Sequence, residues 1–426
     1  MSVVRLVLST RYSVSGADVR LFRWCFNGLP LVDKIDKLLD NKSYIVVFQN
    51  NNELRATGGF MGSYAAISVQ SSGVREIRIQ DIYVPDGQLV GHVDPPAPVQ
   101  QAFGQGWWKL RDSNWDPDFN VAAAQMAWFF EQGGEKADGI VAVNLSLVNS
   151  LLGALGEIKL TDYPEKITAQ NFYYLAQKYA EEKAFPGSTQ KKDFLGAVGR
   201  GMMEKIRTIG SIGQIRLIGQ IYGEFKKGEI LVWFRDKDLA SSVQGLDKRD
   251  YLYIVESNLG ANKANCCINR QVTQEVDNFK TRLVIKYQNN NVFENPKPPY
   301  FWGGNYIDYL RIIIPKDAQI KSVKVGDRQL IEKQLDNKYG LQEDRYEVED
   351  RGEFKIIGFW AVVPAGKSVD VEMEYTSPLP LSSFQERGIL VRHQPGMPGF
   401  PYKLIVEGRV MGEKVIDRDL EFRIDK

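Results

Sequence analysis

The sequence predicts an α/β region, a mixed sheet flanked by helices, followed by an all-β immunoglobulin-like sandwich. Three observations predict it. Up to about residue 255, apolar runs of strand length are interspersed with stretches of helical spacing. From about residue 262, alternating stretches parted by short turns take over. At 426 residues the chain is too long for one ordinary core and fits two domains. The expected divisions are a helical leader over 1–42, an α/β domain over 43–260 and a sandwich over 261–426, with a soft border near 256–270.

Taken in order, Leu21, Phe22, Cys25, Leu29, Val32, Ile35 and Leu38 recur at near-helical spacing, interrupted by Pro30. Ser43 to Gln49 reads as a buried strand that ends in the polar loop Asn50-Asn-Asn-Glu53. Strands follow over 63–69 and 74–81. Residues 85–109 form a long loop rich in Pro and Gly that holds Trp107 and Trp108, and long loops are often functional. Asp116 is placed to cap a helix with Pro117 at its first position, and Gly133-Gly134 to end it. A strand over 139–143, a helix over 146–155 and a strand over 157–160 read as a βαβ unit with a parallel pair. Three helical stretches cover 168–183, 192–207 and 212–226, and strands 231–234 and 251–255. The sandwich strands expected are 281–287, 309–314, 320–325, 354–363 and 369–375.

Charge and composition exclude several functions. Lys plus Arg number 54 and Asp plus Glu 53, so the chain lacks the basic excess of a general nucleic-acid binder. Two histidines and three cysteines leave little for a His-based metal centre or a Ser-His-Asp triad. Cys266 and Cys267 are adjacent, and adjacent cysteines rarely pair. The sequence has no apolar run long enough for a membrane helix and no convincing signal peptide. The expectation is either a cytoplasmic protein or one whose anchor precedes this chain.

Two motifs carry candidate chemistry. In Asn50-Asn-Asn-Glu53-Leu-Arg55-Ala-Thr57-Gly58-Gly59, a guanidinium just past a strand end, beside paired glycines, suits an anion. The same residues also suit a tight turn with Arg55 paired to Glu53. In Arg111-Asp112-Ser-Asn114-Trp-Asp116-Pro-Asp118, four acidic or amide side chains within seven positions could hold a hard cation, or could make turns and caps. Trp107-Trp108 could stack on a sugar or anchor a core. Lys263 follows a strand in a polar loop and could reach an anion.

Tyr44 to Ser63, Arg111 to Phe119, Asp138 to Val143 and His393-Gln-Pro-Gly396 resemble a bacterial family of domains of unknown function, DUF4012. That family in turn is similar to the LytR-CpsA-Psr phosphotransferases. The resemblance implies transfer of a glycopolymer from a polyprenyl-pyrophosphate carrier to the cell wall, outside the membrane. It implies Arg55, Arg111 and Asp112 as catalytic residues, with the arginines on the pyrophosphate and Asp112 on magnesium. Asn50, Glu53, Gly58, Gly59, Asn114, Lys192 and Arg200 would line the substrate site. Partners would be a polyprenyl-phosphate-linked glycan or cell-wall polymer, with no nucleic acid. Thr57 stands where the group has an acid. The other reading is a non-catalytic envelope protein that binds glycan or lipid-phosphate, or a structural module. Because Arg55 and Arg111 follow apolar strands rather than lying within them, their alanine variants are expected to change stability by under about 1 kcal/mol.

Overall fold

The computed structural model describes residues 37–38, 40–70, 73–181, 190–241, 251–296, 303–376 and 388–423. Of the helix expected over 20–40, all but a few C-terminal residues lie outside that set. The chain forms two compact units and passes between them more than once. The first comprises 1–49, 61–90 and 118–246; the second comprises 50–60, 91–117 and 247–426.

The first unit is α/β. Its strands are β1 (Lys42–Asn50), β2 (Phe60–Gln70), β3 (Gly73–Asp81), β4 (Gly139–Asn144), β5 (Ile158–Lys159), β6 (Lys166–Ile167) and β7 (Ile230–Phe234). Five make one mixed sheet in the order β3-β2-β1-β4-β7. β1 and β4 run parallel, with Tyr44 opposite Gly139 and Gln49 opposite Asn144. β2 pairs with β3, and β4 with β7, antiparallel. Ile45, Val47, Ile140 and Ala142 are buried, as the apolar runs in β1 and β4 require.

Helix α1 (Phe119–Gln132) is capped by Asp118, whose carboxylate accepts the Asn120 N–H at 2.9 Å. The cap was expected two residues earlier, at Asp116. Gly134 leaves the helix at φ +83°, a conformation glycine adopts without steric cost. Helix α2 (Leu145–Leu155) follows β4 as expected. The strand after it does not rejoin the main sheet: β5 pairs antiparallel with β6 in a two-stranded sheet of its own. β4 already has β1 on one edge and β7 on the other, so no ladder edge is open to β5. The parallel partner of β4 is β1. The unit also holds the short helical turns Tyr83–Asp86 and Lys237–Ala240, and helices α3 (Phe172–Glu181), α4 (Gln190–Thr208) and α5 (Ser211–Lys226) follow α2. Leu152, Ile158, Phe172 and Phe194 form a second apolar core beneath them.

The second unit is β-rich. Its strands are β8 (Tyr251–Val255), β9 (Ile268–Asp277), β10 (Lys280–Asn289), β11 (Tyr306–Pro315), β12 (Gln319–Val325), β13 (Arg328–Gln329) and β14 (Ile331–Glu332). Then come β15 (Arg345–Arg351), β16 (Phe354–Val363), β17 (Ser368–Thr376), β18 (Ile389–Arg392), β19 (Phe400–Val406), β20 (Arg409–Ile416) and β21 (Leu420–Phe422). They form two seven-stranded sheets, β13-β12-β17-β10-β9-β19-β20 and β14-β15-β16-β11-β8-β18-β21. Both sheets feed one core: Val272, Ile285 and Tyr402 come from the first, Ile254, Ile312 and Phe359 from the second. Immunoglobulin sandwiches are antiparallel with about seven to nine strands. Here β8 with β18, β9 with β19 and β14 with β15 run parallel. The ladder also seats β8 between β11 and β18, inside the β unit.

Candidate functional site

The first sequence motif lies in the segment 50–60 and the second, up to Pro117, in the segment 91–117; both segments belong to the β unit, while Asp118 belongs to the first unit. Leu54 is the anchor of the first motif. It is fully buried among the apolar residues of the two sheets. Its N–H donates to Asn265 Oδ1 at 3.0 Å, and its carbonyl accepts from the Asn258 N–H at 3.0 Å. Beyond it the chain turns sharply, and the Gly58 N–H donates to the Arg55 carbonyl at 2.9 Å. Gly58 sits at φ +135°, and at Gly59 a Cβ would overlap the backbone of Asn50 and Asn51. The paired glycines thus permit a close return of the chain on itself.

That turn buries Arg55, which is 3% exposed. Its Nη2 lies 3.0 Å from Glu53 Oε1 and 3.7 Å from Asp112 Oδ1. Its Nη1 donates to the carbonyls of Leu54, at 3.2 Å, and of Asn258. The Phe60 ring centroid is 5.5 Å from its Cζ. Burial raises the Glu53 carboxyl above its ordinary range, against the pull of Arg55 and Lys263. Asp112 is 4% exposed, on the short turn Leu110–Asp112. Its second oxygen is 3.7 Å from Nε of Arg111, which is 21% exposed. One carboxylate therefore gathers both arginines that the sequence singled out.

Asn114 is fully buried and ties the motifs together. Its Nδ2 donates to Thr57 Oγ1 at 3.2 Å and to the Gly59 carbonyl at 2.8 Å. Asn50 Oδ1 accepts the Asn52 N–H at 3.2 Å, a local turn bond. Asp116 is held by Arg351, whose Nη1 donates to both carboxylate oxygens at 2.8 and 2.6 Å. This grip takes the carboxylate that was expected to cap α1. Of the tryptophans, Trp108 donates its indole N–H to the Asp112 carbonyl at 3.2 Å, while Trp107 is exposed beneath the Lys109 ammonium. Lys192 and Arg200 lie on α4 of the first unit, and the Lys192 side chain falls outside the described residues.

Sequence reasoning missed the residues that grip the first motif from behind. Gln394 is fully buried; its Nε2 donates to the carbonyls of Arg55, at 3.0 Å, and Glu256, at 2.8 Å. Its Oε1 accepts the Glu256 N–H at 2.8 Å. Asn51 Nδ2 donates to the Gly396 carbonyl at 2.9 Å. The His393 to Gly396 stretch was the available signal, and its role is to clasp the loop. The Glu256 carboxylate takes two bonds from Arg270, each 2.8 Å, and the hydroxyls of Tyr287 and Tyr306. Next to it Asp308 is fully buried, with one oxygen accepting the Ser257 N–H at 2.6 Å. Burial, and then the Glu256 charge, push the Asp308 carboxyl well above the usual carboxylate range.

The class this defines is an α/β unit with a mixed five-stranded sheet, combined with a two-sheet β unit that buries an Arg-acid cluster. Residues 40–180, which include both N-terminal motifs, match the family described as Protein of unknown function (DUF4012). No curated protein matches the chain. Among solved structures, protein gbs0355 from Streptococcus agalactiae is similar at 11% identity and a TM-score of 0.33, over 48% of this chain and 75% of that one. B. subtilis TagV is similar at 10% identity and a TM-score of 0.31, over 48% and 78%. Lin1025 protein from Listeria innocua is similar at 13% identity and a TM-score of 0.28, over 47% and 76%. Among the described residues no helix is long and apolar enough to cross a membrane, and no three His, Cys, Asp or Glu side chains are grouped to hold a metal ion.

Proposed function

We propose that this is a non-catalytic protein of the bacterial cell envelope that binds a glycan or a lipid-linked phosphate without transferring it. The observation that carries this reading is the state of Arg55. A guanidinium that stabilises a transferred phosphate must present its N–H groups to it. Both terminal nitrogens of Arg55 are committed to Glu53, Asp112 and two backbone carbonyls, at 3% exposure. The DUF4012 match and the motif resemblance to the LytR-CpsA-Psr group support the envelope context. An extracytoplasmic location goes with it.

Magnesium does not fit these residues. Each oxygen of Asp112 faces a guanidinium at 3.7 Å, and Thr57 is a partner of Asn114 where the resemblance calls for an acid. A hard dication needs several oxygen ligands and would meet two fixed positive charges here. Arg111 is 21% exposed, and the Lys263 charge acts on Glu53; a phosphate would compete with the present partners of these two cations. The transferase reading keeps one supporting observation, the gathering of Arg55 and Arg111 at one carboxylate.

Calorimetric titration with a soluble short-chain polyprenyl diphosphate and with a peptidoglycan fragment tests the proposal. Incubation with a lipid-linked glycan and an acceptor, followed by mass spectrometry, accompanies it. The expected result is binding of at least one probe and no transfer product. For the diphosphate, the paired Arg111→Ala and Lys263→Ala change should weaken binding by roughly 10-fold or more. A transfer product, or no binding of either probe, overturns the reading.

A further inference from the structure

The sulfurs of Cys266 and Cys267 are joined as a disulfide between neighbouring residues. Disulfides stabilise proteins mainly by closing a loop in the unfolded chain, and more so for longer loops. Neighbouring residues close only a minimal ring across one peptide bond, so loop closure in the unfolded chain contributes little here. The bond's surroundings point to chemistry instead. Cys266 is exposed and Cys267 half-buried, so a reductant can reach the pair. The short helix that carries them, Ala264–Cys267, is tied on every side. The Asn265 N–H donates to the Asn52 carbonyl at 3.1 Å. Asn265 Oδ1 accepts from the Leu54 N–H at 3.0 Å and from Asn258 Nδ2 at 2.9 Å. On the other flank the Asn290 N–H donates to the Cys267 carbonyl at 2.9 Å. Asn291 Nδ2 donates to the Ala264 carbonyl at 3.0 Å, and its Oδ1 lies 3.4 Å from Cys266 Sγ. The opened form therefore has an acceptor in place for a Cys266 thiol.

We propose that Cys266 and Cys267 form a reversible redox switch that sets the order of the Asn50 to Gly59 loop. A dithiol reductant attacks the exposed Cys266 sulfur through its thiolate, and the Cys266–Cys267 bond breaks. The second thiol of the reductant then closes the reductant's own disulfide and releases Cys266. Two electrons and two protons pass to the cysteines, and the reductant is oxidised by the same amount. The opened pair no longer constrains the peptide next to Asn265. The Asn265 ties to Asn52 and Leu54 loosen, and with them the clasp around Arg55.

The test uses the whole chain. Thiol titration and intact mass are read under air and after dithiothreitol, with hydrogen exchange measured on peptides covering Leu54 and Asn265. Of the 3 cysteines, one thiol should titrate under air and all three after reduction. Exchange in the Leu54 peptide should be at least about 10-fold faster in the reduced form, while a peptide from β4 is unchanged. Reoxidation should restore the slow rate, and the joint Cys266→Ser and Cys267→Ser change should match the reduced form. Three free thiols under air that resist a disulfide oxidant overturn the proposal, as does equal exchange in both redox states.

Discussion

Replacing Arg55 by alanine should lower the stability of the β unit by about 3–5 kcal/mol, because it strips the counter-charge from a buried ion cluster. Read as a loop residue, Arg55 was expected to tolerate the change at under about 1 kcal/mol. The structure reverses that expectation. Arg55 is 3% exposed, and its removal leaves Asp112, 4% exposed, short of one of its two guanidinium neighbours. Glu53, already held above its ordinary range by burial, loses its 3.0 Å partner. The carbonyls of Leu54 and Asn258 lose a donor as well. For a unit of this size each kcal/mol moves the melting midpoint by about 2–4 °C, so a fall of roughly 6–20 °C follows. Thermal melts followed by near-ultraviolet circular dichroism would read it. Arg55→Lys keeps the charge but not the fork of donors, and should fall between the two. Arg111→Ala, at 21% exposure with Asp112 3.7 Å from its Nε, should stay within about 1 kcal/mol of wild type. An Arg55→Ala protein melting within 2–4 °C of wild type, about the shift of a single kcal/mol, would refute the reasoning.

Two further outcomes follow from the same packing. Gly59→Ala drives a Cβ into the Asn50 and Asn51 backbone, so it should cost about 1–3 kcal/mol or more, seen as a lower urea midpoint, whereas Gly106→Ala, which meets open space, should not. Asp308 has a folded-state carboxyl held well above its unfolded value, so the folded protein binds more protons between those two values. Its contribution to stability is therefore full at acid pH and is lost as pH rises through the folded value. Asp308→Asn keeps the acceptor for Ser257 and should flatten that decline in urea melts from pH 4 to 8; an unchanged slope counts against the buried, protonated carboxyl.

Much of the layout was legible in the sequence because it depends on local periodicity. β1, β4, α2 and α5 fall where apolar spacing placed them, and Gly133-Gly134 ends α1 as expected. The α1 cap was misplaced by two residues because Asp116 and Asp118 are equally good caps by type. Arg351, 235 positions away, takes up Asp116 instead. β5 was read as a sheet strand because its pattern says nothing about whether an edge of β4 is open. Cys266 and Cys267 are bonded to each other although adjacent cysteines rarely pair, since adjacency disfavours the bond but does not forbid it.

By itself, the sequence determined many of the segments that become helix or strand, though not the helix Ala97–Phe103 inside the expected loop over 85–109, and it determined that an α/β part precedes a β part and which stretches carry Arg, acid and paired glycine together. Those properties reside in neighbours within a few residues, where side-chain period and backbone freedom act directly. Only the tertiary structure decided that segments 50–60 and 91–117 belong to the β unit. Only it decided that Arg55 is buried rather than presented, and that Gln394 and Glu256 stand behind it. Burial and charge pairing depend on what the rest of the chain brings from hundreds of residues away. The same Asn-Asn-Glu-Leu-Arg loop is an open anion site or a closed clasp according to what packs upon it.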